Sequence, residues 1–306
     1  MKGDVLRANG PWPADNTERQ VHQWLAQRIA IDDERELQSI INLLLESVSS
    51  KRRVDRMMNQ WRASESEIEK LALWADRLNA HEPIQYVLGE AHFLGLKLAV
   101  DRRVLIPRPE TEELVFHMKE RVGKLHQEQR SVLDVGTGSG VIALSWKDAF
   151  PDDLVVGLDA SADALNVAES NGRSLNLSVD WIHDDILSHP VQGLDGVKPF
   201  DIIFSNPPYI PNAERMGMEN HVVDWEPHEA LFVPDEDDLK FYRRIISGCE
   251  HSHWLKPEGW LAFECHRDRI EHVASLFHGS WRTIEKVRDL QGNWRMIFAQ
   301  RHGAIA

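Results

Sequence analysis

Residues 132–144 read Val132-Leu133-Asp134-Val135-Gly136-Thr137-Gly138-Ser139-Gly140-Val141-Ile142-Ala143-Leu144, an apolar strand that enters a turn with glycine at every second position and leaves it as an apolar helix. Glycine admits positive φ and lets a ligand approach the backbone, and the free N–H groups at a helix start favour an anion such as a carboxylate or phosphate. No Gly-Lys-Ser/Thr follows, so the turn is not a phosphate-binding P-loop. Alone it is weak evidence of a ligand. Val155-Val156-Gly157-Leu158-Asp159 strengthens it, because this second strand ends in an acid 19 residues after Gly140, placed to accept both hydroxyls of a ribose.

Working outward, Asp201–Ser205 and Trp260–Glu264 are further strand candidates separated by helical segments. Such alternation predicts a mostly parallel sheet covered on both faces, an α/β fold. Trp281–Val287 and Trp294–Gln300, joined through Gln291-Gly292-Asn293, read as an antiparallel pair at the sheet edge. Towards the N-terminus, residues 17–80 lack Gly and Pro, and Leu37, Ile40, Ile41, Leu44, Leu45 and Val48 fall on one face of a helix started by Asp32 or Asp33. Ser64 and Glu67 have capping-box spacing before Ile68, Leu71, Ala72, Ala75 and Leu78. The expected organisation is a flexible leader and small helical bundle over 1–80, a linker over 81–110 and the α/β domain over 111–306. In the linker, the apolar stretches on either side of Asp101-Arg102 predict a β-hairpin.

The third strand runs into Asn206-Pro207-Pro208-Tyr209. Each proline biases its predecessor away from the helical region and neither has an N–H, which leaves a stiff loop with exposed acceptors. The Asn206 side-chain oxygen and the Pro207 carbonyl can both accept from one substrate NH2, and Tyr209 can wall the site by stacking on a planar amide or base. Dinucleotides and S-adenosylmethionine both carry the ribose that Asp159 would accept; this loop decides for S-adenosylmethionine.

Asp134-x-Gly136-x-Gly138-x-Gly140 together with Asn206-Pro207-Pro208-Tyr209 resembles the S-adenosylmethionine-dependent amino-methyltransferases, which modify a planar NH2 in DNA, RNA or protein. Three more stretches narrow the likeness: Ile84-Gln85-Tyr86-Val87-Leu88-Gly89 with Phe93-x-Gly95, then Ile106-Pro107-Arg108-Pro109-Glu110-Thr111-Glu112-Glu113-Leu114, then Trp225-Glu226-Pro227-His228-Glu229-Ala230-Leu231. They are similar to the peptide chain release factor glutamine methyltransferases, the PrmC/HemK family, over roughly residues 80–300. The resemblance implies a Rossmann-like methyltransferase domain with a small N-terminal helical bundle joined by a β-hairpin. It implies a cytoplasmic enzyme of translation termination that methylates the side-chain amide of the glutamine in the Gly-Gly-Gln motif of class 1 release factors.

By the same resemblance Asn206, Pro207, Pro208 and Tyr209 are the catalytic loop. Gly136, Thr137, Gly138, Ser139 and Gly140 would cradle the methionine part of the cofactor, Asp159 its ribose, and Asp185 with Ile186 its adenine. Ile186 stands where some members have tryptophan, which leaves an apolar rather than an aromatic wall. Arg108, Glu110 and Glu112 would shape the substrate entrance; equally, the two acids suit a helix N-terminus. Two alternatives share the loop: a glutamine methyltransferase of a large-subunit ribosomal protein, and a DNA or RNA amino-methyltransferase.

Composition weighs on these. The chain carries 35 Lys and Arg against 49 Asp and Glu, and residues 101–306 hold 22 basic and 34 acidic groups, a poor balance for neutralising a phosphate backbone. No run of about 18 apolar residues and no signal-like start occurs, so no membrane partner is expected. Cys249 and Cys265 alone make no disulfide framework, and the 15 histidines include no His-Glu-x-x-His, so no metal is expected.

Overall fold

The computed structural model describes residues 8–123, 129–218 and 220–303. In chain order its elements are α1 (Glu18–Arg28), α2 (Glu34–Ser49), α3 (Arg53–Met58), α4 (Glu65–Asn79), α5 (Ile84–Leu88), β1 (Glu90–Phe93), β2 (Leu96–Ala99), α6 (Pro109–Val122), β3 (Ser131–Val135), α7 (Val141–Ala149), β4 (Leu154–Asp159), α8 (Ala162–Leu175) and β5 (Asp180–His183). There follow β6 (Phe200–Ser205), β7 (Ile210–Pro211), α9 (Asn220–Val223), α10 (His228–Leu231), β8 (Phe232–Val233), α11 (Lys240–His251), β9 (Leu255–Glu264), α12 (Ile270–Ala274), β10 (Trp281–Arg288) and β11 (Trp294–Arg301). Two compact units emerge: the chain up to Gly89 with Asn220–Trp225, and Glu90–Glu219 with the chain from Glu226 on.

The first unit is helical. Asp33 caps α2 by accepting the N–H groups of Arg35 and Glu36, and Ser64 and Glu67 form a reciprocal capping box on α4, satisfying donors that a helix start leaves open. Leu37, Ile41, Leu44 and Leu45 of α2 are buried against Val21 and Leu25 of α1 and Leu71 and Ala75 of α4. Helices this short are marginal alone in water, so this shared apolar face is what holds them. The leader expected over 1–16 lies partly outside the described residues. From Pro11 on it is tied down: the Trp24 indole N–H donates to the Pro11 carbonyl at 2.7 Å, and Asn16 and the Ala63 backbone exchange hydrogen bonds at 3.0 and 2.9 Å.

The expected linker over 81–110 is divided between the units. Arg77 on α4 holds α5 in the helical unit, donating to Glu82 and to the carbonyls of Tyr86 and Val87, both at 2.9 Å. The hairpin belongs to the second unit, and its turn is at Leu94-Gly95, with φ of 45° and 87°, not at Asp101-Arg102. A two-residue hairpin turn with both central residues left-handed matches strand twist, and Gly95 accepts that conformation without a Cβ clash. Asp101–Val104 makes a separate turn, with the Val104 N–H on the Asp101 carbonyl at 3.0 Å.

In the second unit seven strands form one sheet in the order β10-β11-β9-β6-β3-β4-β5, parallel from β9 to β5, with β11 antiparallel to both neighbours. Side chains alternate between two buried clusters. Ile202 and Phe204 of β6 and Met296 and Phe298 of β11 meet α6 and α7 on one face, while Ile203 and Ile297 meet α11 and α12 on the other. Burial on both faces is why these strands read as continuous apolar runs. Strand β5 escaped the sequence reading because only Trp181 and Ile182 are apolar in it; Trp181 lies over Gly157, where a Cβ would come within 2.5 Å of the ring. Among the described residues no helix is long and apolar enough to cross a membrane, and no group of three or more His, Cys, Asp or Glu is placed to hold a metal ion.

Candidate active site

Strands β3, β4 and β5 run out to one edge, and the chain then returns to place β6 on the other side of β3. Connections therefore diverge from the C-terminal ends of β3 and β6, the place where an open α/β sheet forms a ligand crevice. A cleft of about 420 Å³ lies there. Gly136 and Gly138 line it from the β3–α7 turn, Asp159 from the end of β4, Asp185 and Ile186 from beyond β5, and Asn206, Pro207 and Pro208 from beyond β6.

The glycine turn is held from outside the cleft. Gly136, Gly138 and Gly140 have φ of 74°, 55° and 83°, a region that costs a side chain strain. A Cβ on Gly136 or Gly138 would meet nothing within 4 Å, so the backbone there faces open space; on Gly140 it would press on Trp181 at 2.9 Å. Gly140 thus serves packing. Thr137 and Ser139 are also turned inward: the Thr137 hydroxyl donates to Asp134 at 2.6 Å, and the Ser139 carbonyl accepts from the Asn171 amide at 3.0 Å. Of the five turn residues expected around the cofactor, the cleft wall takes Gly136 and Gly138.

Two carboxylates brace the turn. Asp134 is fully buried, its Oδ2 accepts from Thr137 and from the Ala143 N–H at 3.3 Å, and its Oδ1 has no partner among the described residues. Burial pushes its pKa up to about 7. Asp159 accepts from the Gly138 N–H at 2.8 Å and the Ser161 N–H at 2.9 Å, while burial raises its pKa. The Ala160 N–H also favours its charge, so of the roughly four lone-pair sites of a carboxylate at least one remains for a ribose hydroxyl. Ile186 is buried, and exposed Asp185 accepts from the Leu187 N–H at 2.9 Å.

Beyond β6, the Asn206 amide nitrogen donates to the Thr111 hydroxyl at 3.1 Å, and that hydroxyl donates to Glu264 Oε2 at 2.6 Å. The Tyr209 hydroxyl donates to Glu264 Oε1 at 3.2 Å. Tyr209 therefore turns from the cleft wall toward Glu264, with its ring 6.0 Å from that of His266. Burial and the Glu264 charge push the Tyr209 phenol well above its ordinary range, and burial also raises Glu264.

Thr111 and Glu264 had no assigned part in the sequence reading. A legible signal existed for Glu264: an acid ending the apolar run Trp260–Phe263, level with Asn206 at the strand ends. Thr111 gave none, since it reaches Asn206 across 95 residues. Arg108 meets Glu226 at 2.5 Å, whereas Glu112 accepts the Leu94 N–H at 2.8 Å and so fixes the hairpin turn. Phe241 and Ile245 of α11 and Val104 and Leu105 add apolar wall that the sequence did not single out.

Comparison with known proteins places the chain in a family. Residues 110–223 match the family model of the methyltransferase small domain, and residues 19–89 match that of the PrmC N-terminal domain. The chain is 41% identical over 227 residues to the release factor glutamine methyltransferase of Bacteroides thetaiotaomicron, covering 74% of this chain and 78% of that one. It is 35% identical over 282 residues to the enzyme of the same name from Flavobacterium psychrophilum, covering 90% and 95%. Among solved structures, the hMettl16 catalytic domain in complex with MAT2A 3′UTR hairpin 6 superposes with a TM-score of 0.53 at 15% identity, over 76% of this chain and 82% of that one, a likeness of fold. The fold is that of a Rossmann-like methyltransferase. At the identity and coverage just given, the chain belongs to the release factor glutamine methyltransferase family.

Proposed function

We propose that this protein transfers a methyl group from S-adenosylmethionine to the side-chain amide nitrogen of the glutamine in the Gly-Gly-Gln motif of class 1 peptide chain release factors. One observation carries the reading: the acceptor-rich Asn206-Pro207 segment lines the same cleft as Gly136, Gly138 and Asp159. A planar NH2 and a ribose-bearing donor thus have adjoining places in one cavity. The residues fit the donor: open space beside two glycines for its amino-acid part, an open lone pair on Asp159 for a ribose hydroxyl, and Ile186 with Asp185 for the base. When bound, S-adenosylmethionine supplies a methyl activated by its sulfonium.

An amide nitrogen is a weak nucleophile because its lone pair is delocalised, so positioning has to supply most of the rate. Asn206 and the Pro207 carbonyl hold the NH2 by its two hydrogens, and such proximity is worth roughly 7–11 kcal/mol in favourable cases. The same acceptors favour the positive charge that grows on nitrogen during attack. No dedicated base is needed, since attack leaves the nitrogen as a protonated, positively charged N-methyl amide, which is strongly acidic and gives its proton to water.

One glutamine offers too little area for specific recognition, so the helical unit docks a release-factor surface away from Gly-Gly-Gln. Its α3 presents Val54, Met57 and Met58 at 62%, 63% and 79% exposure. Met58→Glu should raise KM for the release factor while leaving kcat unchanged; an unaltered KM would contradict this docking. The enzyme works in the cytoplasm, where release factors act. The reading as a whole is tested by offering labelled S-adenosylmethionine with unmodified release factor, ribosomal protein or DNA. Label on the release factor alone is expected, and label on another substrate would move the function to that class.

A further inference from the structure

Thr111, in the first turn of α6, is 3% exposed, and Glu264, at the end of β9, is 1% exposed. A threonine hydroxyl has one proton to give. Thr111 gives it to Glu264 Oε2 at 2.6 Å, so toward Asn206 it can only accept, and the 3.1 Å contact requires the Asn206 NH2 to be the donor. The two ends of an asparagine amide are nearly isosteric, and only such a chain of donors and acceptors decides which way it points. With Nδ2 committed to Thr111, the Asn206 oxygen is the end left to accept. Glu264 Oε1 meanwhile takes the Tyr209 hydroxyl at 3.2 Å. One carboxylate therefore orders both ends of the Asn206-Pro207-Pro208-Tyr209 loop.

Packing alone does not call for that carboxylate. It sits among apolar residues of the sheet, where a buried charge is costly unless hydrogen-bonded. Arg295, which donates to Asp289 and to the Cys265 carbonyl, both at 3.4 Å, favours the Glu264 charge from nearby without a hydrogen bond to it.

We propose that Thr111 and Glu264 are positioning residues that lock the Asn206 amide with its oxygen as the acceptor for the substrate NH2, so that the site selects an amide over a carboxylate. This rests on the reading that Asn206 accepts from the substrate glutamine. A flipped Asn206 would offer NH2 instead, which suits a carboxylate or carbonyl oxygen and not an amide nitrogen.

The test compares Thr111→Val, which keeps the volume and loses the hydroxyl, with Thr111→Ser, which keeps the hydroxyl. Misplacement of a reacting group by about 1 Å costs on the order of 100-fold in rate. A drop of that order in kcat is expected for Thr111→Val, with KM for the release factor and S-adenosylmethionine binding unchanged and with rescue by Thr111→Ser. Glu264→Gln, which turns a donor toward one of the two hydroxyls, should also lower kcat. Wild-type kcat in Thr111→Val, or a Ser variant as slow as the Val variant, would overturn the proposal.

A second readout does not depend on turnover: NMR of protein labelled at asparagine nitrogen. The Asn206 NH2 protons should be protected from exchange in the wild type and in Thr111→Ser and unprotected in Thr111→Val. Equal protection in all three would overturn the lock even if methylation were normal. Protection as expected in a wild type that methylates no release factor would remove the substrate reading alone.

Discussion

The Arg108 guanidinium and the Glu226 carboxylate, 118 residues apart in the chain, meet at 2.5 Å, and the other Glu226 oxygen accepts the Ile106 N–H at 3.0 Å. The segment around Arg103, Val104 and Leu105 and the segment of Pro227, Glu229 and Ala230 both line the cleft. Glu226, with its side chain 1% exposed, is the clasp between them.

Removing that clasp strands a cation and a backbone donor together. Glu226→Ala should cost about 1.5–3 kcal/mol of stability, the range for a hydrogen bond to a charged group. It should also weaken S-adenosylmethionine binding. Denaturant unfolding and calorimetry check both, and an unchanged midpoint with unchanged affinity would contradict the assignment.

Asn206 and Asp159 should fail in different ways. Asn206→Ala is expected to lose turnover by about 100-fold or more with little change in cofactor affinity. Asp159→Ala is expected to lose cofactor affinity first, since Asp159 both lines the cleft and holds the Gly138 N–H at 2.8 Å. Titration of cofactor binding beside single-turnover rates separates the two, and intact turnover in Asn206→Ala would remove the amide-holding role.

The raised pKa of Asp134 has a stability signature. Its carboxyl titrates near 3.8 when unfolded and at about 7 in the folded protein, because burial penalises the charge. Between those values the folded state binds the extra proton, so this group's contribution falls as pH rises from about 4 to 7 and levels off above. Asp134→Asn removes that dependence. The gap in thermal midpoint between variant and wild type should widen in the variant's favour across this window; a constant gap would show that Asp134 does not titrate there.

Gly248 on α11 lies flat against the Trp254 indole, and a Cβ added there would run into the ring. Gly248→Ala should cost about 1–3 kcal/mol through overpacking, read as a lower denaturation midpoint. A neutral result would mean that Trp254 repacks freely.

Legibility in the sequence followed the range of the interactions. Asp33 and Ser64 with Glu67 were readable as helix starts because capping works over two or three residues, and β3 and β6 because burial on both faces leaves them mostly apolar around Asp134 and Asp201. The hairpin turn was misread at Asp101-Arg102 because charge marks solvent, whereas the turn geometry asked for the left-handed pair Leu94-Gly95. Asp159 and Asn206 were readable because each stands at the end of an apolar strand on one edge of the sheet, whereas Ile186 came from the family resemblance alone, since the short β5 before it has only two apolar residues. The Thr111–Glu264 bond was not, because it spans 153 residues and joins residue types common anywhere. Tyr209 looked like a wall from its ring alone, and its hydroxyl's partner turned it elsewhere.

The most direct test of the central claim is fragment mass mapping of an unmodified class 1 release factor after incubation with the enzyme and S-adenosylmethionine, beside a release factor whose Gly-Gly-Gln glutamine is replaced by glutamate. One added methyl on that glutamine, and none on the glutamate form, is the expected result. Methylation elsewhere in the factor, or equal methylation of both forms, would contradict the account.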